Sequence, residues 1–241
     1  MKKILSVIAM FVVIATSTAQ AQNLKDILAD HFEAVGQKKL KKVETLTLTG
    51  NLVQSGLEIP FKQISSRPSS FRIEGTFQGM TFVQTYNGTE AWILNPFAGT
   101  TEAEPLPEDQ MKSVSIQADM DGMLWEWKDK GYEAKFDKLE DVEGTSCYKV
   151  DVTTKDTSVY SYFIDVETNL ILKTHIKTKF SGVDVESDTY FSNYMLVEGV
   201  TLAGKIENRY NGQTGEVIVI EKYEFDLEYD AKIFDKPIAA Q

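Results

Sequence analysis

The sequence predicts a mainly β protein: one large, curled antiparallel sheet, an open half-barrel, with an N-terminal helix and an inserted helical lid. Three observations predict it. Phe71, Ile73 and Phe77 alternate with Arg72, Glu74 and Thr76, the period of a strand with one dry and one wet face. From Gly131 onward, turn signals recur between one-sided runs, at Glu143-Gly144, Lys155-Asp156, Glu167-Thr168-Asn169, Ser181-Gly182, Glu198-Gly199 and Asn211-Gly212. That is the pattern of an antiparallel meander. Helical periodicity is confined to two places, near the N-terminus and after Pro107.

Residues 1–21 read as a secretory signal: Lys2 and Lys3, the apolar run Ile4–Ile14, then Ala19-Gln20-Ala21, with cleavage after Ala21. A retained membrane anchor is the alternative reading of the same run. The mature chain, 22–241, is expected to be a single domain, about 220 residues long. Without Lys2 and Lys3 it carries 23 basic against 36 acidic residues, a net charge of about −13. Such a charge argues against nucleic acid and against electrostatic docking on anionic lipid. Cys147 is the only cysteine and is expected to be buried and inert.

Asn23–Val35 predicts a helix, with Leu24, Ile27, Leu28, His31, Phe32 and Val35 on one face and Gly36 as its stop. His31 reads as packing, since no second ligand lies nearby. Lys38, Lys39, Lys41 and Lys42 read as a solvated linker. Two strands follow between Val43 and Ser65, turning at Gln54-Ser55-Gly56, with Leu46 and Leu48 on one face and Leu57, Ile59 and Phe61 alternating in the second. After Phe71–Phe77, Gln78-Gly79 turns into Met80–Tyr86, where Met80, Phe82 and Tyr86 share a face. Asn87-Gly88 predicts a two-residue hairpin, Ala91–Leu94 returns, and Asn95-Pro96-Phe97 stops it. One sheet face is therefore unusually rich in large aromatics.

Pro107 suits a first helical position, with acids in the first turn. Met111, Val114 and Ala118 share a helical face. Asp121-Gly122 breaks the run, and Met120, Met123, Leu124 and Trp127 recur at helical spacing, with Trp125 beside them. These predict two short amphipathic helices covering the sheet. Their methionines suit a surface that repacks around variable partners, although an ordinary helix capping a sheet gives the same pattern.

The chain lacks the spacings of catalytic and metal motifs. His31 and His175 are far apart, and no CxxC, glycine-rich phosphate loop or GxSxG occurs. The carboxylates Asp119 and Asp121, and Glu140, Asp141 and Glu143, lack calcium-loop spacing. Asn87-Gly88-Thr89 matches the glycosylation sequon, but a hairpin turn accounts for it. Neither an enzyme nor a cofactor or metal site is expected.

The order Arg67-Pro68-x-x-Phe71, Asn87-Gly88, Trp92 and Asn95-Pro96-Phe97 resembles the LolA/LolB-type periplasmic lipoprotein carriers. The likeness is most specific over residues 64–99 and extends loosely, by element order, across the mature chain. It implies an incomplete antiparallel barrel closed by a helical lid, holding acyl chains in a concave face while they cross the periplasm. It implies that Arg67 hydrogen-bonds lid backbone and favours the closed, empty state, and that Trp92 and Phe97 line the cavity. On this reading the lining also includes Leu48, Phe61, Phe71, Ile73, Phe77, Phe82 and Leu94, with Met111, Val114, Met120, Met123, Leu124 and Trp127 from the lid. The partners implied are lipoprotein acyl chains or another lipid, an inner-membrane donor and an outer-membrane acceptor; the protein is expected to be a monomer. The alternative is a non-enzymatic envelope module that binds a protein or polymer, which a polar, grooved lining would favour over an apolar one.

Overall fold

The computed structural model describes residues 23–180 and 183–238, so the signal segment expected at 1–21 lies outside the described residues. Helix α1 runs Leu24–Val35. The Asn23 side chain accepts from the Asp26 N–H at its start, and Gly36 ends it in the left-handed region at φ 72°. A Cβ on Gly36 would lie 2.2 Å from the Gly199 carbonyl oxygen, so that close approach also requires glycine. The lysine run is not all linker: Gln37–Leu40 forms the short helix α2.

The strands are β1 Thr45–Gln54, β2 Leu57–Ser66, β3 Ser70–Phe77, β4 Met80–Tyr86, β5 Ala91–Leu94, β6 Glu104–Pro105, β7 Glu133–Val142 and β8 Thr145–Thr153. They continue as β9 Val159–Asp165, β10 Ile171–Phe180, β11 Val183–Ser192, β12 Met195–Val197, β13 Val200–Leu202, β14 Lys205–Tyr210 and β15 Gln213–Phe225. Helix α3 spans Glu108–Ala118. Among the described residues, thirteen strands form one sheet in the order β6-β5-β4-β3-β2-β1-β15-β14-β11-β10-β9-β8-β7, and β12 pairs with β13 apart from it. The ladder joins the two halves of the chain where β1 meets β15, and it does not close, since β6 and β7 are both edges. The fold is the mainly β, open antiparallel architecture with a few helices that the sequence predicts.

Two local expectations are corrected. Met120–Trp127 is not a second helix: α3 ends at Ala118, and residues 120–131 are a run of turns, with Gly122 at φ 70° and Glu126 at φ 51°. Asn87-Gly88 is not a two-residue hairpin. The Asn87 side chain instead accepts from the N–H groups of Thr89 and Glu90, making a longer connection closed by Asn87 N–H to the Glu90 carbonyl at 3.1 Å. A bulge between Ile171 and Lys173 turns Leu172 away from Ile171, onto the opposite face beside Val142, Cys147 and Phe163.

Directly opposed residues of an antiparallel pair share a face. The register therefore traces one inner face across the sheet: Tyr86, Phe71, Ser65 and Leu46 in one row, and Ile93, Gln84, Ile73, Gln63, Leu48 and Tyr223 in the next. This face carries α1, α3 and the turn run. The other face carries the C-terminal 3-10 turn Ala231–Phe234, whose Phe234 is buried near Arg72 and Thr85.

Candidate functional site

Two apolar clusters fill the ends of the inner face. In one, Phe71, Tyr86 and Ala91 of the sheet meet Leu106, Val114 and Ala118, with Ile73, Ile93 and Met111 against them. In the other, Val150, Val152 and Ile164 of the sheet meet Ile27 and Leu28 of α1 and Met123 and Leu124 of the turn run. Ile116 and Trp127 pack on this second cluster, so α3 sends side chains to both. Burying each large apolar side chain is worth about 1.5–3 kcal/mol. The covering segment, Glu108–Gly131, thus occupies apolar wall that it would otherwise leave open. A groove of about 660 Å³ runs between α1 and Glu126–Asp129, lined by Leu24, Leu28, Phe32 and Trp127.

Arg67 follows directly on β2 and ties that segment down. Its Nη1 and Nη2 donate to Oδ2 and Oδ1 of Asp121 at 2.7 and 2.9 Å, a two-pronged pairing, while Nε and Nη2 donate to the carbonyls of Val43 and Leu40 at 2.8 and 3.1 Å. The latch expected at Arg67 is therefore corrected in its partner. It grips a carboxylate side chain of the covering segment, not that segment's backbone, and its carbonyl partners belong to the end of α2 and the chain just beyond. Gln37 Nε2 adds a third donor to Asp121, at 3.1 Å. The Arg67 and Asp121 side chains are 20% and 13% exposed. Burial pushes the Asp121 carboxyl up, but the Arg67 hydrogen bonds and charge outweigh it and hold the group below its usual range; the same bonds raise Arg67. Lys130 donates to Asp119 and to the Gly122 carbonyl, and Lys41 donates to Glu126 at 2.8 Å with its ammonium over the Trp125 ring.

The remaining expected lining residues divide by place. Phe71, Ile73, Met111 and Val114 come together in the first cluster, and Met123, Leu124 and Trp127 in the second. Leu48, Phe61, Phe77 and Phe82 lie on the inner face by register, Leu48 buried and the others half-buried. Met120 is half-buried and belongs to neither cluster. Phe97 is exposed at the end of the sheet, its ring 6.4 Å from that of Phe77. Trp92 and Leu94 are corrections: they oppose Thr85 and Val83, on the face away from Phe71, and pack with Val83 and Ala103. In Ala91–Leu94 every residue is apolar, and only the Tyr86–Ala91 register decides which of them face in.

The middle of the inner face is not apolar throughout. Thr174, Thr189, Asn208 and Glu216 oppose one another across β10, β11, β14 and β15. Thr189 Oγ1 donates to Asn208 Oδ1 at 2.7 Å, and Asn208 Nδ2 donates to Glu216 Oε1 at 2.6 Å. The neighbouring row is wholly apolar, with Leu52, Ile218, Ile206 and Phe191 opposed in turn and all half-buried. Sequence reading missed both Asp121 as the partner of Arg67 and this polar row. Asp121 stood out as half of a carboxylate pair, but its partner is 54 residues away; the row draws on four strands, so no local spacing reveals it.

His31 is buried and its Nδ1–H donates to the Asn169 carbonyl at 2.8 Å, docking α1 on the turn before β10; burial lowers its pKa. Cys147 is fully buried, its thiol pushed up to about 11 mainly by that burial. Among the described residues, no helix is long and apolar enough to cross a membrane.

No protein-family model matches the chain, and no curated relative does. Solved structures do match its fold. A LolA superfamily protein from Nitrosomonas europaea aligns with a TM-score of 0.60 at 12% identity, over 90% of this chain and 99% of that one. A DUF1329 family protein from Desulfovibrio piger gives 0.59 at 14%, over 87% and 97%. A domain assigned to the outer membrane lipoprotein-sorting proteins, from Vibrio parahaemolyticus, gives 0.57 at 11%, over 87% and 97%. The chain has the LolA-type fold.

Proposed function

We propose that this protein is a non-enzymatic carrier of the cell envelope. It holds acyl chains of a lipid or lipoprotein against the inner face and moves them across the periplasm toward the outer membrane. One observation carries the reading: apolar clusters of the sheet face are covered by a segment that is half helix and half turns, pinned to the wall through the Arg67–Asp121 pair. A lipid chain gains about 0.8 kcal/mol per buried methylene. A chain entering the face therefore replaces the contacts of Met111, Val114, Met123 and Leu124 with equivalent ones, and exchange costs little. Reclosure of the covering segment, drawn by Arg67, would help expel cargo at the acceptor membrane. The likeness of fold to LolA-type proteins supports the reading.

The test is solvent extraction of protein purified from an envelope fraction after co-expression with lipoproteins, followed by lipid mass spectrometry. The reading expects acyl-bearing species in stoichiometric amount. Recovery of none counts against it and favours an envelope module that binds a protein or polymer.

A further inference from the structure

We infer that the inner face carries a headgroup subsite at Glu216 that selects acyl lipids bearing an ammonium group. The inference rests on the carrier reading and adds to it what the polar end of the cargo meets. The hydrogen-bonded row Thr189–Asn208–Glu216 runs in one direction, hydroxyl to amide to carboxylate, and ends on Glu216. Asn208 satisfies one oxygen of that carboxylate. Among the described residues, no lysine, arginine or histidine forms a salt bridge with Glu216. This sets Glu216 apart from Glu207, which lies on the opposite face of the same hairpin and is held by Arg209 and Lys205.

Glu216 is a half-buried carboxylate at the end of a neutral polar row and beside an apolar one, held by Asn208 and by no salt bridge among the described residues. A ligand ammonium supplies the opposite charge and charge-assisted donors to the oxygen that Asn208 does not hold.

The position suits a lipid. Glu216 lies near the β14–β15 turn, where the Tyr210 ring packs against Gly215 and burial, then the Glu216 charge, raise the Tyr210 pKa. The apolar row Leu52, Ile218, Ile206 and Phe191 lies one step further along the strands from that turn. A head at Glu216 thus places an acyl chain on apolar wall. An anionic head there would face a carboxylate on a protein already of net charge −11.

The experiment measures retention of lipids with identical acyl chains and ethanolamine, choline or glycerol-phosphate heads, by parent protein and by Glu216→Gln, alongside an apolar dye that has no head. The parent is expected to prefer the ethanolamine over the glycerol-phosphate lipid by about tenfold, through charge-assisted hydrogen bonds. Glu216→Gln is expected to bring the two within about twofold while dye affinity stays the same. Choline, which keeps the charge without N–H donors, is expected to fall between them. Equal retention of all heads by the parent, or an undiminished preference in Glu216→Gln, overturns the subsite and leaves the carrier reading standing. Retention of neither lipid nor dye overturns both.

Discussion

Replacing Asp121 with asparagine should loosen the covering segment without unfolding the sheet. Asp121 belongs to neither apolar cluster, so the perturbation is confined to its hydrogen bonds with Arg67 and Gln37. The carboxylate accepts two guanidinium bonds and one from Gln37. Asparagine keeps one acceptor, removes the charge and turns its own N–H2 toward a donor. Charged hydrogen bonds contribute about 1.5–3 kcal/mol each, and partial exposure of both side chains discounts that, leaving about 2 kcal/mol of preference for the closed state. If opening precedes binding, apparent affinity scales with the open fraction, so an apolar dye should bind about 30-fold tighter to Asp121→Asn. The assay is a dye titration, with Trp125 and Trp127 emission reporting exposure of the covering segment. The Arg67→Leu, Asp121→Asn double variant should bind no tighter than the tighter single, because both remove one interaction. Unchanged dye affinity in the folded single variant, or fully additive effects, refutes the latch. Acid offers a second handle on the same pair. The Asp121 pKa is depressed in the folded protein, so its contribution is present above the ordinary carboxylate range and is lost as pH falls through the depressed value.

Arg67→Leu should fold, keep or tighten its hold on acyl cargo and fail to pass it on, measured as retention against transfer to acceptor membranes; transfer at the parent rate would return Arg67 to a structural tie. Leu124→Ala, at a site only 4% exposed, should cost about 2–5 kcal/mol of local packing and speed amide exchange over residues 119–131 before the sheet strands; uniform loss of protection would make the segment part of the core instead. The pKa of His31 is depressed by burial, so its protonation favours the unfolded chain, and stability should fall as pH drops below about 6.5. His31→Gln, which keeps a donor for the Asn169 carbonyl, should flatten that part of the Tm–pH curve; an identical slope removes His31 from the account.

The legible parts of this fold are those written in short periods. Phe71–Phe77 declares both its strand and its inward face, because each second residue is apolar and the register agrees. Leu24, Ile27, Leu28, Phe32 and Val35 declare α1 through helical spacing, and Gly36 declares its end. Legibility fails where the period vanishes or the partner is remote. Ala91–Leu94 has no alternation, so Trp92 and Leu94 could be assigned a face only from pairing with Val83 and Thr85. Met120–Trp127 has helical spacing, yet Gly122 and Glu126 adopt positive φ, and the same apolar residues reach Val150 and Ile164 from turns. Long-range packing decided the conformation over local period. In the candidate site, Arg67 was legible as a charge beside an aromatic strand. Its pairing with Asp121, and the row ending at Glu216, arise from chain closure that no window of sequence contains.

The central claim is that acyl chains lie on the inner face, on wall that the covering segment and the apolar row provide. Loading the protein with a lipid carrying a photoactivatable group at its chain end, then mapping adducts by peptide mass spectrometry, tests this directly. The account predicts adducts on inner-face residues such as Phe71, Ile73, Phe191 and Ile218. Adducts concentrated on Trp92, Leu94 and Ala103, across the sheet, would contradict it.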